Sequence, residues 1–134
     1  MTTYPLEQAG RAMSELEVAL VEQLRAKVGR SLHHLYARAV AASPRLEGEF
    51  AAAWWPFLNE PVIPTWAEGD TSPAGAGVVD DVMTRWKPGD TVGIANDAPQ
   101  AIKLVFHAGT YTKKARPGWL ELILDEARVL LVTS

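Results

Sequence analysis

"SPRLEGEFAAAWW", Ser43 to Trp55, is where this chain changes architecture. Pro44 has no N–H to continue a helix and biases Ser43 away from the helical region, so the long proline-free stretch before it must end here. Gly48 then supplies a turn, and Phe50 to Leu58 emerges from it as a predicted strand. In that strand Phe50, Ala52 and Trp54 share one face, and Ala51, Ala53 and Trp55 the other, which sets an indole on both sides of a sheet.

Working back from Pro44, residues 14–42 read as one long helix. Ser14 with Glu17 forms a capping-box pattern, and Thr3 with Pro5 would start the helix a few turns earlier. Leu16, Leu20, Leu24, Val28 and Leu32 recur every four residues. A four-residue step drifts about 40° around a helix of 3.6 residues per turn, so the apolar stripe must spiral. Either the helix bends near Gly29, or its two halves bury different faces against different neighbours, and the second option points to a partner subunit. Glu15, Glu17 and Glu22 precede Arg30 and Arg38, an order that complements the helix dipole.

Working forward, Asn59 to Gly77 is rich in proline, glycine and small polar residues and reads as a long loop or arm. Ser72 and Pro73 resemble the start of a short amphipathic helix whose apolar positions are Val78, Val79, Val82, Met83 and Trp86, closed by the turn at Pro88 and Gly89. Thr91 to Asn96 and Ala101 to Phe106 both alternate and are expected to pair as antiparallel strands across the Asn96–Pro99 turn. His107 to Gly118 is a second polar loop. Trp119 to Val132 is a closing helix with Leu120, Ile123, Ala127 and Leu130 inward. The fold class expected is α+β: a long N-terminal helix, a small antiparallel sheet, a short middle helix and a C-terminal helix, in a single domain over 1–134, with the sheet and loops in 44–118.

The bulk numbers limit function. A chain of 134 residues with 48% hydrophobic residues can bury one core. It has no cysteine, which excludes disulfides, thiolate metal sites and cysteine nucleophiles. A net charge of −3 gives no general attraction to a phosphate backbone. Basic residues cluster in two places, Arg25 to Arg45 and Lys113 to Arg116, without the interleaved aromatics of a single-strand platform. No apolar run approaches the roughly 20 residues that span a bilayer, no charged-then-apolar leader opens the chain, and no membrane role is expected.

Sites of chemistry are scarce. His33 and His34, and likewise Asp80 and Asp81, are helix neighbours that diverge by about 100° instead of converging on a cation. The two aspartates read as early-helix charges facing the dipole. "GAG" at Gly75 to Gly77 follows a loop and lacks the lysine of a phosphate loop. His107, on a glycine-bearing loop, is the best catalytic candidate, and a small hydrolase or nuclease would use it with Asp97 or Asp80 and a lysine of the Lys113 loop. A third reading is a nucleic-acid or host-factor binding module using the basic residues of the first helix. No cofactor is expected. Five tryptophans are many for this length. Two or three suit a core, and the rest suit an interface.

Two stretches taken together resemble a known family. Ser43, Pro44, Gly48, Phe50, Ala53 and Trp54 are similar to the turn after the first helix in bacteriophage tail-completion and head-tail joining (neck) proteins. Gly89, Asp90, Asn96, Pro99, Ala101, Gly109, Pro117 and Gly118 resemble that family's second motif, although Gln100 stands where the family often has tyrosine and Val105 where it often has glutamate. The resemblance implies a non-enzymatic virion part, assembled in the bacterial host cytoplasm as a ring, hexamer or dodecamer, at the neck or tail end. It implies neighbouring neck and tail proteins as partners, and DNA passing through the channel without sequence-specific binding. A tail terminator or minor tail protein is the nearest alternative. The subunit interface expected is Trp55, Trp66, Tyr111, Lys113, Lys114 and Arg116, and the structural motif Pro44, Gly48, Trp54, Asn96, Pro99, Gly109, Pro117 and Gly118.

Overall fold

A computed structural model describes residues 6–44, 49–61, 75–98, 101–106 and 116–132. The elements are α1 (Leu6–Ala42), α2 (Glu49–Ala52), β1 (Trp54–Leu58), α3 (Ala76–Arg85), β2 (Val92–Asn96), α4 (Ala101–Phe106) and α5 (Trp119–Val132). The class is α+β and mostly helical. The helix α1 runs 37 residues, roughly 55 Å at 1.5 Å per residue. It begins eight positions before the capping-box serine. Leu6 to Gln23 offers good helix formers and no proline, and Ser14 is simply tolerated inside it.

The other end of α1 is closed as the sequence predicts. Ser43 donates both its backbone N–H and its hydroxyl to Ala39 O, and Pro44 is buried behind it. Two other expectations are corrected. Glu49–Ala52 is a helical turn, so the strand starts at Trp54 and not at Phe50. Ala51 to Ala53 are poor strand formers and good helix formers, and local propensity wins there.

The second correction concerns pairing. Ala101–Phe106 is a helix, and β2 pairs antiparallel with β1 instead, in the register Trp54↔Asn96 through Leu58↔Val92. Over six residues a period of two and a helical period both fit; among the described side chains Ala101, Leu104 and Val105 turn to the core, which fits helical spacing.

Among the described residues the sheet has two strands, too few to stand alone, and it leans on the helices. The core gathers Leu32, Leu35, Tyr36 and Ala39 of α1, Val79, Val82 and Met83 of α3, and Ile123 and Ala127 of α5 around Phe50, Trp54, Trp86, Leu104 and Trp119. Phe50, Trp54 and Trp119 meet edge to face, with centroids 5.4, 6.0 and 6.4 Å apart. Each buried indole N–H has a partner: Trp54 donates to Ser43 Oγ at 2.7 Å, Trp119 to Leu104 O at 2.8 Å and Trp86 to Asp90 O at 3.2 Å.

Glycine is required at one close approach. A Cβ on Gly75 would lie 2.7 Å from the Tyr36 ring and 3.0 Å from both Pro56 and Trp54 O, while the Gly75 N–H donates to Tyr36 Oη. This explains the first glycine of "GAG" without any nucleotide. The N-cap of α3 is Gly75, so Ser72 and Pro73 do not start it, and they lie outside the described residues.

Candidate functional site: an assembly surface

Two surfaces stand out once the core is assigned. The first is the N-terminal half of α1. Met13, Leu16, Leu20 and Leu24 are 72%, 60%, 51% and 47% exposed, whereas Leu32 on the same helix is 2% exposed. These four follow the spacing that places side chains on one helix face. The spiral of the stripe is therefore resolved by the two halves meeting different surroundings. Beyond Gly29 it turns into the core, and before residue 25 it faces solvent. The helix α1 continues unbroken through Gly29. Glu17, three residues from Leu20 and four from Met13, borders the stripe, and Glu15 and Glu22 are exposed on the same half.

At the junction of the halves Arg25 donates to Met83 O at 2.6 Å and Trp86 O at 2.7 Å, capping the end of α3, and its guanidinium lies 5.8 Å from the Trp86 ring centroid. Arg25 is thus committed to the fold and is not part of a free basic patch.

The second surface is the groove between α1 and α5, where Ser31 Oγ donates to Ala127 O at 2.7 Å. Glu126 sits there, accepting from His34 Nε2 at 2.8 Å and from Arg38 Nε at 3.2 Å. Those two donors hold its carboxyl below the usual carboxylate range. Toward the start of α5 the groove opens into a cleft of about 380 Å³ lined by Arg38, Ala42, Arg116, Trp119, Leu122 and Ile123, with Glu126 at its edge. Leu122 is 66% exposed. The cations of this cleft are Arg38 on α1 and the exposed Arg116 just before α5, and its exposed apolar residue is Leu122.

A second cleft, of about 360 Å³, lies among Val28, Leu32, Leu35, Trp86, Val92, Leu124 and Leu131. Its polar groups are occupied: Ser31 bonds Ala127 O, Arg128 bonds Asp125, and Asp90 accepts from Lys87 N–H and Asn59 Nδ2. The last two bonds, the Lys87 N–H first, hold Asp90 below the usual carboxylate range. They also fix the "KPGD" turn, in which Gly89 takes φ +96° and Asp90 N–H bonds Lys87 O.

The residues singled out in the sequence fall as follows. Trp54 is core. Trp55 is half-buried on the opposite face of β1, beside Phe57, whose ring covers Gly93. Asn96 ties β2 to α2, donating from Nδ2 to Phe50 O at 2.8 Å and accepting Ala98 N–H at 2.9 Å. Pro117 and Gly118, the latter at φ +75°, form the turn into α5. Arg116 is exposed on the rim of the α1–α5 cleft. Trp66, Tyr111, Lys113, Lys114, Gly48, Pro99, Gly109 and the catalytic candidate His107 lie outside the described residues.

His33 donates to Asp80 at 2.9 Å and Arg85 bonds Asp81 at 3.1 Å. The two aspartates lie past the first turn of α3, so they act as ion-pair partners and not as dipole charges, which corrects that expectation. Among the described residues no group of three or more His, Cys, Asp or Glu is placed to hold a metal, and no helix is long and apolar enough to cross a membrane. Sequence reasoning missed the groove. It combines α1 with a helix some 90 positions away, and the only signal was the surplus of leucine on α1 and α5.

The fold and these surfaces define a mostly helical α+β protein carrying a candidate protein–protein interface. Compared with family models, curated proteins and solved structures, the chain matches none.

Proposed function

We propose that this protein is a structural, non-enzymatic part of a tailed bacteriophage or prophage particle, working as an oligomeric ring at the head-tail junction or tail end. The observation that carries assembly is the stripe Met13, Leu16, Leu20 and Leu24 standing in solvent on a helix whose other half is core. Apolar area of this kind on one face marks an interaction site. The assignment to a phage neck rests on the two sequence motifs, from the Ser43–Trp54 turn and the Gly89–Gly118 segment. Two of their positions have a clear mechanical role: Trp54 locks the end of α1 through Ser43, and Asn96 ties the sheet to α2.

The basic stretch of α1 lends less support to nucleic-acid binding, because Arg25, His33, His34 and Arg38 are each engaged by carbonyls or carboxylates of other elements. Hydrolysis through Asp80 would have to displace His33.

The test is light scattering on the purified protein together with mass spectrometry of particles from the source phage. A ring-sized mass and stoichiometric presence at the neck or tail end are expected. A strict monomer that is absent from particles would end the proposal.

A further inference from the structure

The exposed half of α1 and the α1–α5 groove are complementary, and both belong to the same chain. We infer that the arm formed by residues 6–24 of one copy docks in the α1–α5 groove of the next, with Leu16 and Leu20 against Leu122 and Glu17 toward Arg38 and Arg116. This rests on the assembly reading above and names its contact.

Three observations select a second copy as the occupant. The arm cannot reach its own groove, because both are parts of one continuous helix roughly 55 Å long. Arm-on-arm pairing sets Glu15, Glu17 and Glu22 of one copy against the same carboxylates of another, with Arg11 the one base among the exposed residues of that half. The cleft carries Arg38 and Arg116, and the second half of α1 has no carboxylate, so an acidic arm meets a basic rim. Glu126 on the same edge already accepts from His34 and Arg38, and Arg116 is exposed beside it. The apolar parts match too: the four exposed side chains of the stripe would meet Leu122 and the Trp119–Ile123 floor of the cleft.

Because the two surfaces differ, the contact is heterologous, and its repetition builds a ring where the rotation closes and an open filament where it does not. The arm thereby becomes the element that crosses from subunit to subunit.

The chain contains no cysteine, which makes cross-linking clean. With Leu16→Cys and Leu122→Cys in one chain, mild oxidation of the assembled protein should give a ladder of covalent dimers, trimers and higher species. A mixture of the two single variants should stop at a mixed dimer. Cross-linking of Leu16→Cys to itself, or a yield for the double variant no higher than for Leu16→Cys paired with Asp81→Cys on α3, would overturn the inference. Leu20→Asp should weaken self-association at least ~30-fold, the loss expected for a buried anchor. Glu17→Arg and Arg116→Glu should each weaken it and together restore it; failure of the pair to restore would count equally against the contact. The outcomes separate the two proposals. A Leu16–Leu122 ladder from a protein absent from phage particles keeps the arm and removes the neck, whereas presence at the neck without the ladder does the opposite.

Discussion

The two halves of α1 are alike in apolar periodicity and opposite in situation. Both carry aliphatic residues at helical spacing, yet Leu32 is sealed between α3, α5 and the sheet while Leu16 and Leu20 stand in water. Periodicity reports which residues share a face of a helix; it does not report whether anything covers that face. The comparison also divides the helix energetically. Residues 25–42 are held by tertiary packing, whereas among the described side chains of residues 13–24 none belongs to the core, and an isolated helix of that length is marginal in water.

The sharpest way to break this contrast is one substitution made twice. Leu32→Ala should cost about 2–5 kcal/mol in the isolated protein, because a fully buried leucine leaves a cavity. Leu20→Ala should change the same unfolding midpoint within about 0.5 kcal/mol. Chemical denaturation below the concentration at which copies associate measures both. Equal losses would mean that the arm is covered in solution even in a lone subunit.

Next in size is Gly75→Ala, expected to destabilise by about 1–3 kcal/mol as the new methyl meets the Tyr36 ring and the backbone of Trp54. It tests the packed half alone, since Tyr36 belongs to residues 25–42. A neutral outcome would show that α3 shifts freely against α1, and the boundary between a rigid and a free half would lose its basis.

What the sequence allowed, and what it hid, follows from the range of the interactions. The closing turn at Ser43 and Pro44, the apolar set of α3 and the span Trp119–Val132 are local decisions and were readable directly. The β1–β2 pairing joins residues some 40 positions apart with α3 between them, so local alternation steered the expectation to the nearer partner at Ala101–Phe106. The Gly75 constraint comes from Tyr36, 39 positions upstream. Trp55 was readable as lying opposite Trp54, whereas Leu122 as an interface residue was not, because a leucine on a C-terminal amphipathic helix reads as core until the helix is placed.

A smaller effect of opposite sign tests the join between the halves. Gly29→Ala puts a methyl 3.6 Å from Met83 Cγ, an ordinary contact, and removes the conformational cost of glycine inside a helix. Stabilisation up to about 1 kcal/mol is expected, read from the thermal midpoint. It should also stiffen the connection between the packed half and the arm, seen as slower amide exchange across residues 25–32. A destabilised variant would mean that Met83 cannot accept the methyl and that Gly29 is there for packing.

The smallest effect is pH dependence, and it too should fall on one half only. Glu126 of α5 accepts from His34 and Arg38, both in the packed half of α1, and these bonds favour its ionised form. A carboxyl whose pKa is lower in the folded than in the unfolded protein binds fewer protons when folded. Its contribution is therefore complete above the ordinary carboxylate value and is lost as pH falls through the lower folded value. Stability should thus decline on acidification below about pH 4.3, and Glu126→Gln should flatten that part of the decline while leaving the neutral-to-basic branch unchanged in shape. In the arm, the ion pair among the described residues is Glu22 with Arg25, within the helix itself, and it ties the arm to no other element. Amide exchange followed over the same pH range should accordingly accelerate around His34 to Arg38 and stay level over residues 13–24. Acid sensitivity of equal size in the arm would mean that its carboxylates already have cationic partners in the isolated subunit, and the difference between the halves would then be one of degree.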